Sequence, residues 1–446
     1  MNQNRENFGS QFAAILALAG SAIGLGNIWR FPYMVGEHGG AAFIIIYILC
    51  SIFISIPIFI AEATIGRAAR KSTVGSVRKL APGSRWDLAG MFVALAPIII
   101  VSYYSVVGGW SIDYFARSLT GRMGMESAAE ASSLFGKVSS SVWEALAAHT
   151  IFLSLSAYIL IKGVKKGIEK FTKIAIPMLF VLMVAILIYS VNLPGAGDGI
   201  RYLVHPDFSK INGKTVAYAL GQSFFSMSLG VGAVLTYASY MRKEDHIVQS
   251  GIWTAIFDTC FALIAGFAIM PAVFAAGMKP EAGPSLVFGT LPYIFSSMQS
   301  ISPVVSVGVP ILFFFSIMIA ALTSEISLME PCVSFFIEEA KCSRKKAVLI
   351  VFAICWVLGI FCSLSFGPLS PFKLLGKSIF SFCDELSSNY LMVLGSLLLS
   401  LFVGWKMDRK LVEKEMNSKL FKPLYFMIKY VAPPAILIIF ITNLIF

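Results

Sequence analysis

Charge is scarce in this 446-residue sequence: 13% of its residues are Asp, Glu, Lys or Arg, against about 25% in an ordinary globular domain. Half the usual charge cannot coat a water-soluble body, which excludes a cytosolic enzyme or a soluble DNA-binding domain. Paired cysteines are also missing. The seven present (Cys50, Cys260, Cys332, Cys342, Cys355, Cys362, Cys383) are odd in number and scattered, with no CxxC and no Cys/His pair of metal spacing. That argues against a disulfide-built secreted scaffold and a zinc module, and leaves most of them as small core residues. The apolar run beginning at Phe8 passes through Gly and Asn to Arg30 without an A-x-A-like site, so a cleavable leader is not expected. The four histidines, His38, His149, His205 and His246, lie far apart, which leaves no clustered catalytic set for an enzyme.

What fills the chain instead is apolar sequence, 57% of residues, with a mean hydropathy of +0.80. Stretches of about 20 apolar residues match the ~30 Å hydrocarbon layer, so the chain is expected to be an all-α polytopic membrane protein. Eleven helical spans are predicted, over 10–36, 42–68, 87–117, 145–162, 168–192, 215–240, 247–276, 303–337, 346–363, 378–405 and 422–445. Residues 281–300 are apolar but short and broken by Pro284 and Pro292, and are expected to form a re-entrant or capping outer loop.

The net charge of +11 is explained by where the bases sit. With the N-terminus in the cytoplasm, 24 of the 35 Lys and Arg fall on the inner side and nine on the outer. The positive-inside rule therefore predicts a cytoplasmic N-terminus and, with eleven spans, an outer C-terminus. These charges flank spans and form no stripe, so nucleic acid is not expected as a partner.

The polar groups inside the spans carry the functional signal, because an unpaired charge or amide is costly in lipid and persists where it lines a cavity. The first span reads SAIGLGNIWRFP (21–32) and the sixth QSFFSMSLGVGA (222–233); each has a G-x-G beside polar residues. Close packing through small residues is the plainer explanation for either alone. A matched pair five spans apart favours an inverted repeat of five plus five helices with both broken helices at the midplane. Unwinding frees carbonyl oxygens for Na⁺ and presents N–H groups and a positive helix end to a carboxylate.

GLGNIWRFPY (24–33), Tyr103-Tyr104, QSFFSMSLGVGAVLTYASY (222–240) and ALTSEISLMEP (321–331) together resemble the neurotransmitter:sodium symporter family, specifically its bacterial amino-acid transporters of leucine-transporter-like fold. That fold is built on an inverted repeat of five plus five helices. The resemblance runs from about Arg5 to Trp405. It implies a first repeat over 1–192, a second over 193–405, and a cytoplasmic loop with an eleventh helix over 406–446. It also implies sodium-coupled symport by alternating access in a bacterial cytoplasmic (inner) membrane, with an amino acid, Na⁺ and lipid as partners and no enzymatic reaction. A membrane-embedded sensor that binds an amino acid without moving it is the rival reading.

By position, the resemblance places two Na⁺ sites. The first takes Ala22, Asn27, Ser226 and Asp258, completed by the substrate carboxylate; the second takes Gly20, Ile23, Ala320, Thr323 and Ser324. Substrate is expected against Ala22, Leu25, Gly26, Ile100, Tyr104, Phe225, Ser228, Val231, Ser324 and Leu328. Arg30 with Asp384 is the implied outer gate and Arg5 with Glu338 the inner one, near Ser239 and Tyr240. Glu62 is implied as a buried acid bracing the unwound segments. Glu325 and Glu330 remain open between a proton site and hydrogen-bonded structural positions. Asp258 stands where the family often has Asn, and Ala262 where a Glu or a chloride-binding Ser can stand, so transport is expected to be independent of chloride. Gly24, where monoamine carriers hold an Asp, implies a substrate that brings its own carboxylate. Val231 in place of a bulky Phe implies a larger hydrophobic or aromatic side chain.

Overall fold

The computed structural model describes residues 6–121, 123, 125, 127–278, 286–297 and 303–445. Among the described residues, nine helices are long and apolar enough to cross a membrane: Ala41–Ala69, Asp87–Leu119, Val142–Ile161, Val164–Val191, Ile247–Ala275, Val307–Glu338, Arg344–Leu364, Ile379–Lys406 and Phe421–Thr442. A tenth is the pair Gln11–Ala22 and Gly26–Glu37, bent by 48° at its break. The remaining expected span, Gly213–Ser226 followed by Ala233–Ala238, is divided into pieces too short to pass a length test. Counted in chain order, these are spans 1 to 11, with 1 and 6 broken.

Local chemistry starts and stops the helices. Ser10, Ser72, Ser343 and Ser378 each accept a hydrogen bond from a first-turn amide, and Asn212 with Thr215 forms a capping box at the start of span 6. Large apolar side chains such as Ile52, Phe53, Val181, Ile188 and Ile438 stay exposed on the outside of the bundle, a lipid-facing surface on a membrane protein. The broken spans are at the centre: Ile23, Leu25, Ile28 and Phe31 of span 1 and Leu229, Val231 and Val234 of span 6 have no exposure. Span 8 packs along spans 3, 5 and 1, and span 7 along spans 5 and 1.

The break in span 6 spans 227–232, where Ser228, Gly230 and Gly232 have φ of +52°, +77° and +72°. At Gly230 glycine is required twice. Its φ lies in the left-handed region, and its backbone touches span 10 so closely that a Cβ would land on the Met392 carbonyl, while a Cβ on Gly395 would land on the Gly230 carbonyl. The amide freed at Gly230 donates to Glu62 Oε1 of span 2 at 2.7 Å. Glu62 is fully buried. Removing the acceptor leaves an orphaned buried N–H costing about 1–3 kcal/mol. Glu62→Ala is therefore expected to lower the melting temperature in detergent and Glu62→Gln, which keeps an acceptor, to restore most of it; equal melting of all three proteins would show that the bond carries no stability.

The expected capping loop is described over 286–297, with 286–292, 294 and 295 buried. Phe288 lies among Trp110, Tyr114, Phe135 and Phe314, with ring centroids 5.4 to 6.2 Å away. Residues 281–285 and 298–300 fall outside the described residues.

Candidate functional site

The two breaks face each other, and the polar groups of both converge there. Asn27 follows the span 1 break. Its Oδ1 accepts from the Gly24 amide at 3.0 Å, and its Nδ2 donates to Ser226 Oγ at 3.1 Å, Asp258 O at 3.2 Å and Asp258 Oδ1 at 2.7 Å. Ser226 Oγ reaches both carboxylate oxygens of Asp258, at 2.7 and 2.9 Å. Asn27, Ser226 and Asp258, each at most 1% exposed, thus form one cluster from spans 1, 6 and 7. A fourth member escaped the sequence reading: Tyr47 of span 2 donates its hydroxyl to Asp258 Oδ2 at 3.2 Å. Gln222 donates to the Gly26 carbonyl at 3.0 Å, which ties the two broken helices together.

A second oxygen cluster lies where span 8 crosses the end of the first half of span 1. Thr323 Oγ1 is 3.3 Å from the Ile23 carbonyl and 2.9 Å from that of Ala320. Ser324 Oγ is 3.3 Å from the Ile23 carbonyl and 3.4 Å from that of Ser21. Gly20 is packed at the same crossing, where a Cβ would meet Thr323 Cβ at 3.5 Å. The donors in both clusters are hard oxygens, the type a monovalent cation takes. Among the described residues no group of three or more His, Cys, Asp and Glu is placed to hold a metal ion.

Between the clusters is a cavity lined by Ser21, Ala22, Gly24, Gly26, Ile100, Tyr104, Phe225, Ser228, Ser324, Leu328 and Met392. Its free volume is about 20 Å³, room for roughly one water, so any larger ligand needs its walls to move apart. Eight of the ten residues expected around substrate line it. Leu25 contributes through its backbone instead, donating its amide to the Tyr104 hydroxyl at 3.1 Å. Val231 is buried in the turn between Gly230 and Gly232 and does not line the cavity; Met392 of span 10 does, a residue that no sequence feature marked. Ser228 Oγ donates to the Ser21 carbonyl at 2.9 Å, closing the floor.

The Arg30 guanidinium lies 4.9 Å from the ring centroid of Phe225, which lines the cavity. Among the described residues, no ion pair within 4.0 Å joins Arg30 to Asp384. Near the start of the chain, Phe8 donates its amide to the Tyr240 carbonyl at 3.0 Å and its ring sits between Tyr237 and Tyr240. Glu338 accepts from the Ser72 amide at 2.8 Å. Arg5 falls outside the described residues. Ser239 Oγ bonds the Thr236 carbonyl at 2.5 Å.

The two acids of span 8 differ. Glu330 is held by Arg344 through two bonds of 2.9 and 2.8 Å and by the Tyr240 hydroxyl at 2.6 Å, a hydrogen-bonded position that also joins spans 6, 8 and 9. Glu325 is fully buried, and neither carboxyl oxygen has a hydrogen-bond partner among the described residues. Outside the spans, Asp245 accepts from Arg242 at 2.8 Å, and that bond raises the guanidinium above its ordinary value.

The family model "Sodium:neurotransmitter symporter family" matches residues 5–134 and 125–446. The uncharacterised sodium-dependent transporter YhdH of Bacillus subtilis (strain 168) is 34% identical over 445 residues, 98% of each chain. The sodium-dependent transporter MJ1319 of Methanocaldococcus jannaschii is 32% identical over 93% of this chain and 84% of its own. Among solved structures, the crystal structure of MhsT in complex with L-phenylalanine matches with a TM-score of 0.92 and 40% identity, over 99% of this chain and 100% of that one.

Proposed function

The chain belongs to the sodium:neurotransmitter symporter family, a sodium-coupled carrier of leucine-transporter-like fold in the membrane and not an enzyme, and from that premise we propose that it brings a neutral, hydrophobic or aromatic L-amino acid into the cell with two Na⁺. The observation that carries the substrate class is the cavity itself: an apolar wall of Ile100, Phe225, Leu328 and Met392 faces the polar ends of two broken helices. The phenylalanine in the MhsT complex supports it. In this reading the substrate carboxylate meets the amides and Tyr104 hydroxyl at the span 1 break, and its side chain rests on the apolar wall.

The first Na⁺ is assigned to Ala22, Asn27, Ser226 and Asp258 with the substrate carboxylate, and the second to Gly20, Ile23, Ala320, Thr323 and Ser324. The substrate then completes one ion's shell, so ion and substrate raise each other's affinity by the same factor. A tenfold Na⁺ gradient (~1.4 kcal/mol per ion) and ~2.3 kcal/mol per charge per 100 mV give about 7 kcal/mol for two ions, enough for roughly 10⁵-fold accumulation of a zwitterion. Arg30 over Phe225, joined by Asp384, closes the outer side; Arg5 and Glu338 close the inner side. We assign the chain to a bacterial cytoplasmic membrane with the N-terminus inside, and its repeats to 1–192 and 193–405, with 406–446 following.

Na⁺-driven uptake into proteoliposomes, competed by each of the twenty amino acids, tests this reading; no competition at any Na⁺ concentration overturns it. Counterflow of labelled amino acid separates a carrier from a sensor, since only a carrier exchanges label across the bilayer. Thr323→Ala removes one hydroxyl of the second ion site. It is expected to raise the Na⁺ concentration for half-maximal uptake about tenfold while the substrate KM at saturating Na⁺ changes little. An unchanged Na⁺ dependence would remove Thr323 from the site.

A further inference from the structure

Two of the seven cysteines meet at the outer end of the bundle. Spans 9 and 10 run antiparallel there and are joined by the Phe380 amide donating to Ser365 Oγ at 3.3 Å, with the Phe366 and Phe380 rings 5.0 Å apart. One turn deeper on each helix stand Cys362, three residues before Ser365, and Cys383, three residues after Phe380. Helical periodicity therefore aims both side chains into the same gap. Cys362 Sγ is 3.8 Å from Ser102 Oγ of span 3. Cys362 is 1% exposed and Cys383 is half-buried. Cys383 directly precedes Asp384, whose main-chain carbonyl accepts from Ser387 and Ser388 at 2.9 and 2.8 Å.

We infer that Cys362 and Cys383 are a redox-responsive pair that forms a disulfide on the outer side and, in doing so, restrains the Asp384 turn of span 10. The half-buried thiol reacts first. Cys383, as thiolate, attacks a disulfide donor to give a mixed disulfide and one released thiol; Cys362, as thiolate, then attacks the Cys383 sulfur and releases the second thiol. Both electrons and both protons end on the donor, and one S–S bond is exchanged for another. An attacking thiol backed by a buried resolving thiol is the arrangement of reversible thiol switches, and the outer face is the oxidising side of a membrane. The bond ties span 10 to span 9, which Cys362 already anchors to span 3. Asp384 and Arg30 are not in contact in this structure, so closing the outer gate requires movement that the bond resists. The crosslink stands without the carrier reading, and only its effect on uptake rests on it.

The test uses the full chain in proteoliposomes, treated with an aromatic disulfide and then dithiothreitol. With mixed disulfides at accessible thiols such as the exposed Cys260 identified by their added mass and discounted, oxidation is expected to lower the free-thiol count of the folded protein from seven to five, with mass spectrometry finding the Cys362–Cys383 peptide pair. Cys362→Ser and Cys383→Ser, each tested separately in case one fails to fold, are expected to yield no linked peptide. Na⁺-driven uptake by the natural sequence is expected to fall about tenfold on oxidation and to recover on reduction, while either variant is indifferent to oxidant. A thiol count that stays at seven, or a link to another cysteine, overturns the pairing. A linked peptide with unchanged uptake overturns the coupling to the gate. If the reduced protein takes up no amino acid, the carrier reading falls, and the thiol count still decides the pairing.

Discussion

Replacing chloride with gluconate is expected to leave Na⁺-driven uptake within about twofold, whereas Asp258→Asn is expected to reduce it about a hundredfold. The reason is the donor count around one carboxylate. Asn27 Nδ2, Ser226 Oγ and Tyr47 Oη all point at Asp258, and its two oxygens accept from all three. Three donors from three spans, converging on a residue 1% exposed, build a socket for an anion. Asp258 carries that charge covalently, and in the proposed function it takes the place of a free anion. In the asparagine variant an amide N–H₂ faces donors, which leaves buried groups unpaired and strips a charge from the proposed first Na⁺ site. A loss of about 3 kcal/mol, the ordinary cost of breaking a buried charged hydrogen-bond group, corresponds to that hundredfold. Uptake that collapses in gluconate would show that chloride is needed after all, and full activity of Asp258→Asn would show that the charge is dispensable.

That socket also marks where sequence reading stops. Asn27, Ser226 and Asp258 are polar residues in apolar spans and announce themselves. Tyr47 sits in AAFIIIYILC, where an aromatic residue reads as core, and only the fold brings it across to span 7. Met392 is the same case at the substrate cavity: an apolar residue in an apolar helix, placed at the site because Gly395 and Gly230 let spans 10 and 6 touch. Glu330 is visible as an interior acid, but its partner Arg344 belongs in sequence to the inner-loop charges, and only the fold brings the start of span 9 onto it. Cys362 and Cys383 looked scattered because their 21-residue separation hides a turn between antiparallel helices. Periodicity, charge asymmetry and glycine breaks are local signals and gave the spans; pairings between spans are not local.

Gly24→Ala is expected to reduce uptake about a hundredfold or more while leaving the protein folded and monodisperse, because the added methyl collides with both halves of the site at once. A Cβ at Gly24 would stand 2.9 Å from the Tyr104 hydroxyl and 3.0 Å from Ser324 Cβ, and would overlap the Ser324 hydroxyl. Tyr104 holds the Leu25 amide at the break and Ser324 reaches the Ile23 carbonyl, so the methyl displaces a proposed substrate contact and a proposed Na⁺ contact together. By contrast, a Cβ at Gly26 meets the Phe225 ring at 3.0 Å, and that ring can turn away; Gly26→Ala is expected to have the milder effect. Gly136, with nothing within 4 Å of a built Cβ, is the control in which alanine changes nothing. The same crowding bears on the substrate. If one methyl does not fit at position 24, neither does a carboxylate side chain held there by the protein, and the anionic group that completes the first Na⁺ site must arrive with the molecule being carried. A Gly24→Ala protein with normal uptake would show that Tyr104 and Ser324 yield easily, and would remove the steric ground for requiring an α-carboxylate on the substrate.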